Sequence, residues 1–406
     1  MTTSKLRFGN SGEVSLELRD GAVLDEPAAP VGDPLPNVAE AVLASLKEPL
    51  QFPSMDRIVL ADDSVAIALQ PEMPCAAELL AGAIRGIMDA GVPPELIRIV
   101  RIPNDRGVSD KKLLSQLDDG VAERVTISQH DPGNREQLSF LGASKDDNAI
   151  YVNRELCDAD FVLPIGVQGV SEGLHGSWFP AFSDVEMQER FHKNMSAASE
   201  KKKAKQLAEC EEAGWMMGIQ FVVQLVPAGN NQAMHVLSGL PQAVWDRGNE
   251  LLKEAWEVKV DQPANLVVAG IGGGPEQQTW DNVTRTIDQL LDAVEVDGAI
   301  AICSQLKAKP GPALRRLAQS DDYESADIAI KRKATADAMS AARLNRALQR
   351  VRVYLLSELN ERDVEDLGVA YVSDPKEIAK LSSQFDSCLA LENAQHVSIA
   401  KKEAVE

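Results

Sequence analysis

Asp62 and Asp63, with Ser64 behind them, are the first residues whose types and spacing could do chemistry. Adjacent carboxylates at the end of a strand can hold a metal, a ribose hydroxyl or a substrate hydroxyl, and α/β sheets bind ligands at the carboxyl ends of their strands. The same residues cap helices and close turns. Gly272-Gly273-Gly274-Pro275 joins an apolar run to an amphipathic one. Free N–H groups in such a loop, at a helix N-terminus, can bind a phosphate or carboxylate. The run is neither GxGxxG nor a Walker loop, and a tight strand-to-helix turn uses glycines in the same way. Of the five histidines, His175 lies in the Gly-rich stretch Gly173–Trp178, and His192 follows Phe191 at a helical position. No HExxH or HxH spacing occurs, yet imidazoles from neighbouring segments could share one borderline metal. No GxSxG elbow is present.

The elements that must position these groups alternate. Leu6, Phe8, Val14, Leu16 and Leu18 flank Gly9-Asn10-Ser11-Gly12, a pattern that predicts a β-hairpin. Strands are expected at Arg57–Ala61, Ile97–Ile102, Ala159–Ile165 and Gly218–Val226. Helices are expected at Ala39–Leu46, Ala76–Ala90, Asp110–Leu117, Met187–Glu212 and Pro241–Glu257. Beyond these, Asn265–Ile271, Gly298–Cys303, Val351–Leu356 and Ala370–Val372 read as strands, with helices Trp280–Ala293 and Ala334–Leu348 between them. Strands alternating with helices imply parallel pairing. The expected class is α/β, with two domains, residues 1–258 and 259–406, built on mainly parallel sheets. On this reading Asp62 and Asp63 end the first parallel strand.

At 406 residues the chain has room for two domains of ordinary size. It carries 41 Lys and Arg against 62 Asp and Glu, a net charge of −21. A field of that sign repels nucleic-acid phosphates and anionic membrane surfaces. It also disfavours anionic substrates unless a local cation overrides it. The five cysteines are scattered, with no CxxC pair, as expected in a reducing compartment without disulfides or a thiolate zinc site. The first ten residues carry no apolar signal core, and no apolar run is long enough to span a bilayer. A soluble, cytoplasmic protein, with a homo-oligomer as one open assembly, is the expectation.

The order of motifs resembles the nickel-dependent lactate racemase family of hydroxyacid racemases and epimerases. Its carriers are the hairpin Leu6–Leu18, Leu60–Ser64, His130-Asp131-Pro132, Val152-Asn153-Arg154, Ala159-Asp160, Phe182-Ser183, Asn265–Pro275 and Val353–Glu358, all in family order. The resemblance implies two α/β domains with an active-site cleft between them. It also implies a nickel-pincer nucleotide tethered through a lysine, and hydride transfer at the α-carbon of a 2-hydroxy acid or sugar acid. Carried over residue by residue, it gives His192 as the metal ligand, and His175, Asp105, Arg106 and Arg285 as catalytic positions. Asp62, Asp63, Ser183, Gly272, Gly273, Gly274 and Asn282 fall at cofactor-binding positions. The departures are as informative. Asp105 replaces a catalytic histidine, and Ala66 an arginine. The tethering lysine falls in a deletion after Ser183, where Asp184 and Glu186 are the nearest residues.

Two functions follow. One is a racemase or epimerase using the nickel-pincer nucleotide. The alternative is a non-redox or catalytically inactive family member that binds a small acid or nucleotide in the interdomain cleft.

Overall fold

Runs that are apolar at every position become strands buried on both faces, because parallel sheets carry cover on each side. Val65–Leu69 is the clearest case, with all five residues buried. The computed structural model describes residues 2–27, 30–102, 109–169, 178–196 and 199–401. In chain order the strands begin with β1 (Thr2–Phe8), β2 (Gly12–Leu18), β3 (Val23–Asp25), β4 (Val65–Leu69), β5 (Ile97–Arg101) and β6 (Thr126–Gln129). Next come β7 (Leu138–Ala143), β8 (Ala149–Asn153), β9 (Phe161–Val167), β10 (Val222–Pro227), β11 (Ala233–Gly239) and β12 (Glu257–Val260). The last are β13 (Ala264–Gly270), β14 (Val294–Cys303), β15 (Arg352–Leu356), β16 (Ala370–Val372), β17 (Ser387–Leu391) and β18 (Ser398–Lys401).

Two six-stranded sheets dominate, ordered β11-β10-β9-β4-β5-β6 and β16-β15-β14-β13-β17-β3. The first is parallel apart from the β10–β11 pair, and the second is parallel throughout. The expected α/β class with mainly parallel sheets is therefore the one observed.

Period-2 alternation sorts each central strand between two cores. Val65, Ile67 and Leu69 of β4 join a core with the helices Val38–Lys47 and Ala76–Asp89. Ala66 and Ala68 face the other way, toward Trp178, Phe179, Phe182 and Phe191. In β13, Val267 and Ala269 enter the core shared with the helices Trp280–Leu290 and Ala338–Leu348. Leu266 and Val268 meet Leu6, Phe8, Val14, Leu16 and Leu18 of the hairpin. The hairpin opens the chain but covers the second sheet, and β3 adds an edge strand to it.

Several expected boundaries move. Arg57–Ala61 is not a strand: Met55–Ile58 forms one helical turn, and the first parallel strand is Val65–Leu69. The expected helix Met187–Glu212 is two helices, Val185–Met195 and Glu200–Met216. No described helix is long and apolar enough to cross a membrane.

Candidate functional site

Chain order fixes where a doubly wound sheet leaves room for a ligand. In the first sheet the chain runs β4 to β5 to β6, then returns to the other side of β4 with β9. In the second it runs β13 to β14 to β15 to β16, then returns beside β13 with β17. Loops leaving the strands on either side of such a reversal diverge, and a crevice opens at the carboxyl ends. Here the two reversals abut. The Gln277 amide donates to Glu72 O in the loop after β4 (3.1 Å), and Arg285 Nη1 donates to Gly169 O after β9 (2.9 Å). Cys75 Sγ donates to Asn231 O, and Asn230 N to Asn393 Oδ1, so the same seam takes in the β10–β11 turn and the loop after β17.

Asp62 and Asp63 are not at this seam. They precede β4 instead of following it, so they lie at the amino end of the sheet. Asp63 accepts from Leu60 N in a turn (2.8 Å), the capping role open to that residue type. The segment that does follow β4 is Gln70-Pro71-Glu72-Met73-Pro74-Cys75. Glu72 and Cys75 hold positive φ there, at 59° and 53°. Ser183 is fully buried and donates to Pro180 O (2.6 Å), so its hydroxyl is spent on the entry to the helix Val185–Met195. His175, Asp105 and Arg106 lie outside the described residues.

The Gly272–Gly274 loop does reach the seam, where Gly272 is committed at both its N–H and its carbonyl. Gly272 N donates to Gln395 Oε1 (3.1 Å), and Gly272 O accepts from Gln395 Nε2 (3.0 Å). A Cβ on Gly272 would fall 1.9 Å from Asn393 Oδ1, and Gly273 holds φ +89°. Close approach and backbone conformation require these two glycines. A Cβ on Gly274 would meet the Glu276 carboxylate at 2.5 Å, so an anion at that position would face a negative charge.

Asn282 and Arg285 sit together on the helix Trp280–Leu290, where Asn282 Oδ1 accepts from Arg285 Nη2. Arg285 is buried, and its Nε has no hydrogen-bond partner. Asp281 lies 4.0 Å from that Nε and accepts from Arg343 Nη1 at 2.8 Å. Asp281 and Arg343 were not singled out from sequence. Asp281 stands four residues before Arg285, a helical ion-pair spacing that could have marked it, whereas Arg343 carries no local signal. His192 lies on the helix Val185–Met195, which packs against Ala338–Leu348, with its ring edge toward Phe191. Burial pushes its pKa down to about 4, against the attraction of Asp281 and Asp337. Its Nδ1 is buried without a partner. The seam thus brings Gly272–Gly274, Asn282 and Arg285 together, with His192 beside them across Asp281.

The described residues leave a small pocket here, about 40 Å³, at the carboxyl ends of β4 and β5. Its walls include Gln70, Glu72, Met73, Arg101 and Glu276. That is space for about three waters. Arg101 pairs with Asp110 at 2.7 Å, its side chain 11% exposed.

Residues 8–203 match the family model for the lactate racemase N-terminal domain. Over those residues the chain is similar to that domain. The apoprotein of lactate racemase from Thermoanaerobacterium thermosaccharolyticum has a similar structure, at 15% identity and a TM-score of 0.78, covering 99% of this chain and 100% of that one. A Thermotoga maritima protein is similar at 15% identity and a TM-score of 0.65, covering 91% of this chain and 99% of its own. At such identity the likeness is one of fold. No curated protein matches.

The family resemblance implies a lysine-tethered nickel nucleotide, and the described residues at the seam do not fit one. Asp184, nearest the missing lysine, spends its carboxylate on the helix N-terminus by accepting from Met187 N (2.9 Å). Among the described residues no three His, Cys, Asp or Glu side chains converge as a metal-donor set. The pocket at the ends of β4 and β5, with space for about three waters, does not admit a nucleotide.

Proposed function

We propose that this chain is a racemase-like protein that binds a small 2-hydroxy acid at the seam without a tethered nickel nucleotide. One observation carries the reading: a largely buried cation, Arg101, lines a small pocket at the carboxyl ends of β4 and β5, with Glu276 of the second sheet's loop on its wall. A charge-assisted contact to a carboxylate is short and strong in such a setting, and it overrides a distant net negative field. Glu72 and Glu276 also line the pocket, and a carboxylate there can accept from a ligand hydroxyl. The pocket's size favours a three-carbon acid over a sugar acid or a nucleotide. The hydride-transfer reading through a nickel-pincer nucleotide needs a tethering lysine, whose expected place after Ser183 is taken by Asp184, and more room than the Arg101 pocket has.

Calorimetric titration with lactate, glycolate and nicotinate mononucleotide tests this. A hydroxy acid is expected to bind, and Arg101→Gln to weaken it at least tenfold. At one hundred times its Kd such a ligand adds about 2.7 kcal/mol of stability. Nickel retained at one equivalent after co-production with the cofactor's synthesis enzymes would overturn the reading, and so would silence from every hydroxy acid.

A further inference from the structure

The roomiest described pocket adjoining the seam loop lies on its far side. It has a volume of about 550 Å³, against about 40 Å³ at the Arg101 pocket. Glu276 faces the small pocket, while Pro275 and Gln278 face the large one. Four segments distant in sequence build it: the hairpin turn (Asn10, Ser11), the seam loop, the segment after β14 (Gln305, Lys307, Ala308), and Glu358 after β15. These are the carboxyl ends of three adjacent parallel strands, where such sheets place ligands. A volume in this range suits a small molecule.

The wall is held in place from beneath. Gln278 is buried, and its amide nitrogen donates to Gly273 O (3.0 Å) while its oxygen accepts from Ser304 Oγ (2.8 Å) and Gln305 N (2.9 Å). The hairpin turn is docked by Gly9 N donating to Ile271 O (2.7 Å). Asn10 N then donates to Gln305 Oε1 at 3.0 Å, which commits the oxygen of that amide and leaves its nitrogen for the pocket. Gly9 is the residue that permits this approach: its φ is +57°, and a Cβ there would fall 2.0 Å from Gln305 Oε1. On the rim Lys307 and Glu358 pair at 2.9 Å.

We infer that this pocket is a second binding site, for a hydroxyl-rich small molecule of monosaccharide size. The lining interleaves donors (Gln305 Nε2, Lys307 Nζ) with an acceptor (Glu358), and adds groups that serve as either (the Ser11 hydroxyl, the Asn10 amide). A vicinal diol both donates and accepts at adjacent positions and matches that alternation. A monocarboxylate with an apolar tail offers only acceptors and would have to displace Glu358 from Lys307. Neutral sugars and sugar acids share the hydroxyl chemistry, and the probes below separate them.

The test is saturation-transfer NMR on the full chain with glucose, glucitol, gluconate and butyrate. Transfer to at least one of the three hydroxylated probes is expected, with none to butyrate. Transfer to gluconate alone makes Lys307 the anchor; transfer to glucose or glucitol makes the site neutral. Glu358→Ala and Lys307→Ala alter exposed side chains and leave the fold intact by circular dichroism. Each is expected to weaken the binding probe at least fivefold. Arg101→Gln, at the other pocket, is expected to leave it unchanged, so failure here and failure of the hydroxy-acid reading are distinguishable. No transfer to any hydroxylated probe, or transfer that both rim variants leave untouched, overturns the inference.

Discussion

Half-buried and buried histidines carry the strongest consequences. His396 packs against Trp256, with ring centroids 5.1 Å apart. Burial first, then the charge of Arg285, pushes its pKa down to about 3. In the unfolded chain a histidine titrates near 6.5. Between those values the unfolded chain takes up a proton that the folded protein refuses. The stability from keeping His396 neutral is therefore fully present above pH 6.5 and is lost as pH falls toward 3. The slope is at most about 1.4 kcal/mol per pH unit for one group. His192, pushed down to about 4, adds to the slope over a similar window. Urea unfolding of His396→Phe at pH 7 and pH 5 checks this: the variant is expected to lose less stability on acidification than the parent, and an unchanged difference would refute it. His130 shows how a motif residue can be structural. Its Nε2 lies 2.9 Å from Ser183 O and its Nδ1 3.2 Å from the Asn153 amide nitrogen. Asn153 Oδ1 accepts from Glu155 N, so the amide nitrogen faces the ring, Nδ1 accepts, and Nε2 carries the proton. In the sequence His130 is one carrier of the family resemblance; in the fold it is the clamp beneath the start of the helix that bears His192.

Among elements, the N-terminal hairpin has the least local role and the widest reach. β1 and β2 pair from Thr2↔Leu18 to Phe8↔Gly12, as alternation and the Gly-Asn-Ser-Gly turn foretold. An isolated hairpin is marginal in water, so its stability depends on the face it covers. Leu16 is fully buried against the second sheet. Leu16→Ala is expected to cost about 2–5 kcal/mol, measured by urea unfolding, with a loss of binding at the pocket the hairpin walls. A cost under 1 kcal/mol would mean that the hairpin is not docked as described. The strand displaced from Arg57–Ala61 to Val65–Leu69 teaches the converse. Both runs are short and apolar, and periodicity cannot separate a buried strand from one turn of helix at that length. Their neighbours decide: β4 has β5 and β9 to pair with on either side.

For the whole molecule, the net charge of −21 is the dominant long-range term. Self-repulsion destabilises a compact state, and salt screens it, since the Debye length shrinks to about 8 Å at physiological ionic strength. The melting temperature is expected to rise between 20 mM and 300 mM sodium chloride, measured by calorimetry. A fall over that range would show that local ion pairs, such as Arg343–Asp281 at 2.8 Å, outweigh the global field.

Sequence by itself determined the α/β class, most of the strands and the family resemblance, because these rest on periodicity and motif order within short windows. It did not determine which face of a sheet the hairpin would cover, or that Asp62 and Asp63 stand at the amino end of β4. Nor could it tell that the Gly272 loop is filled by Asn393 and Gln395, more than a hundred residues away. The partners at the seam meet only when both sheets are wound: Glu72 with Gln277, Gly169 with Arg285, Asp281 with Arg343. A side chain's chemistry is set by what lies against it, and in a doubly wound fold those neighbours come from distant turns of the chain.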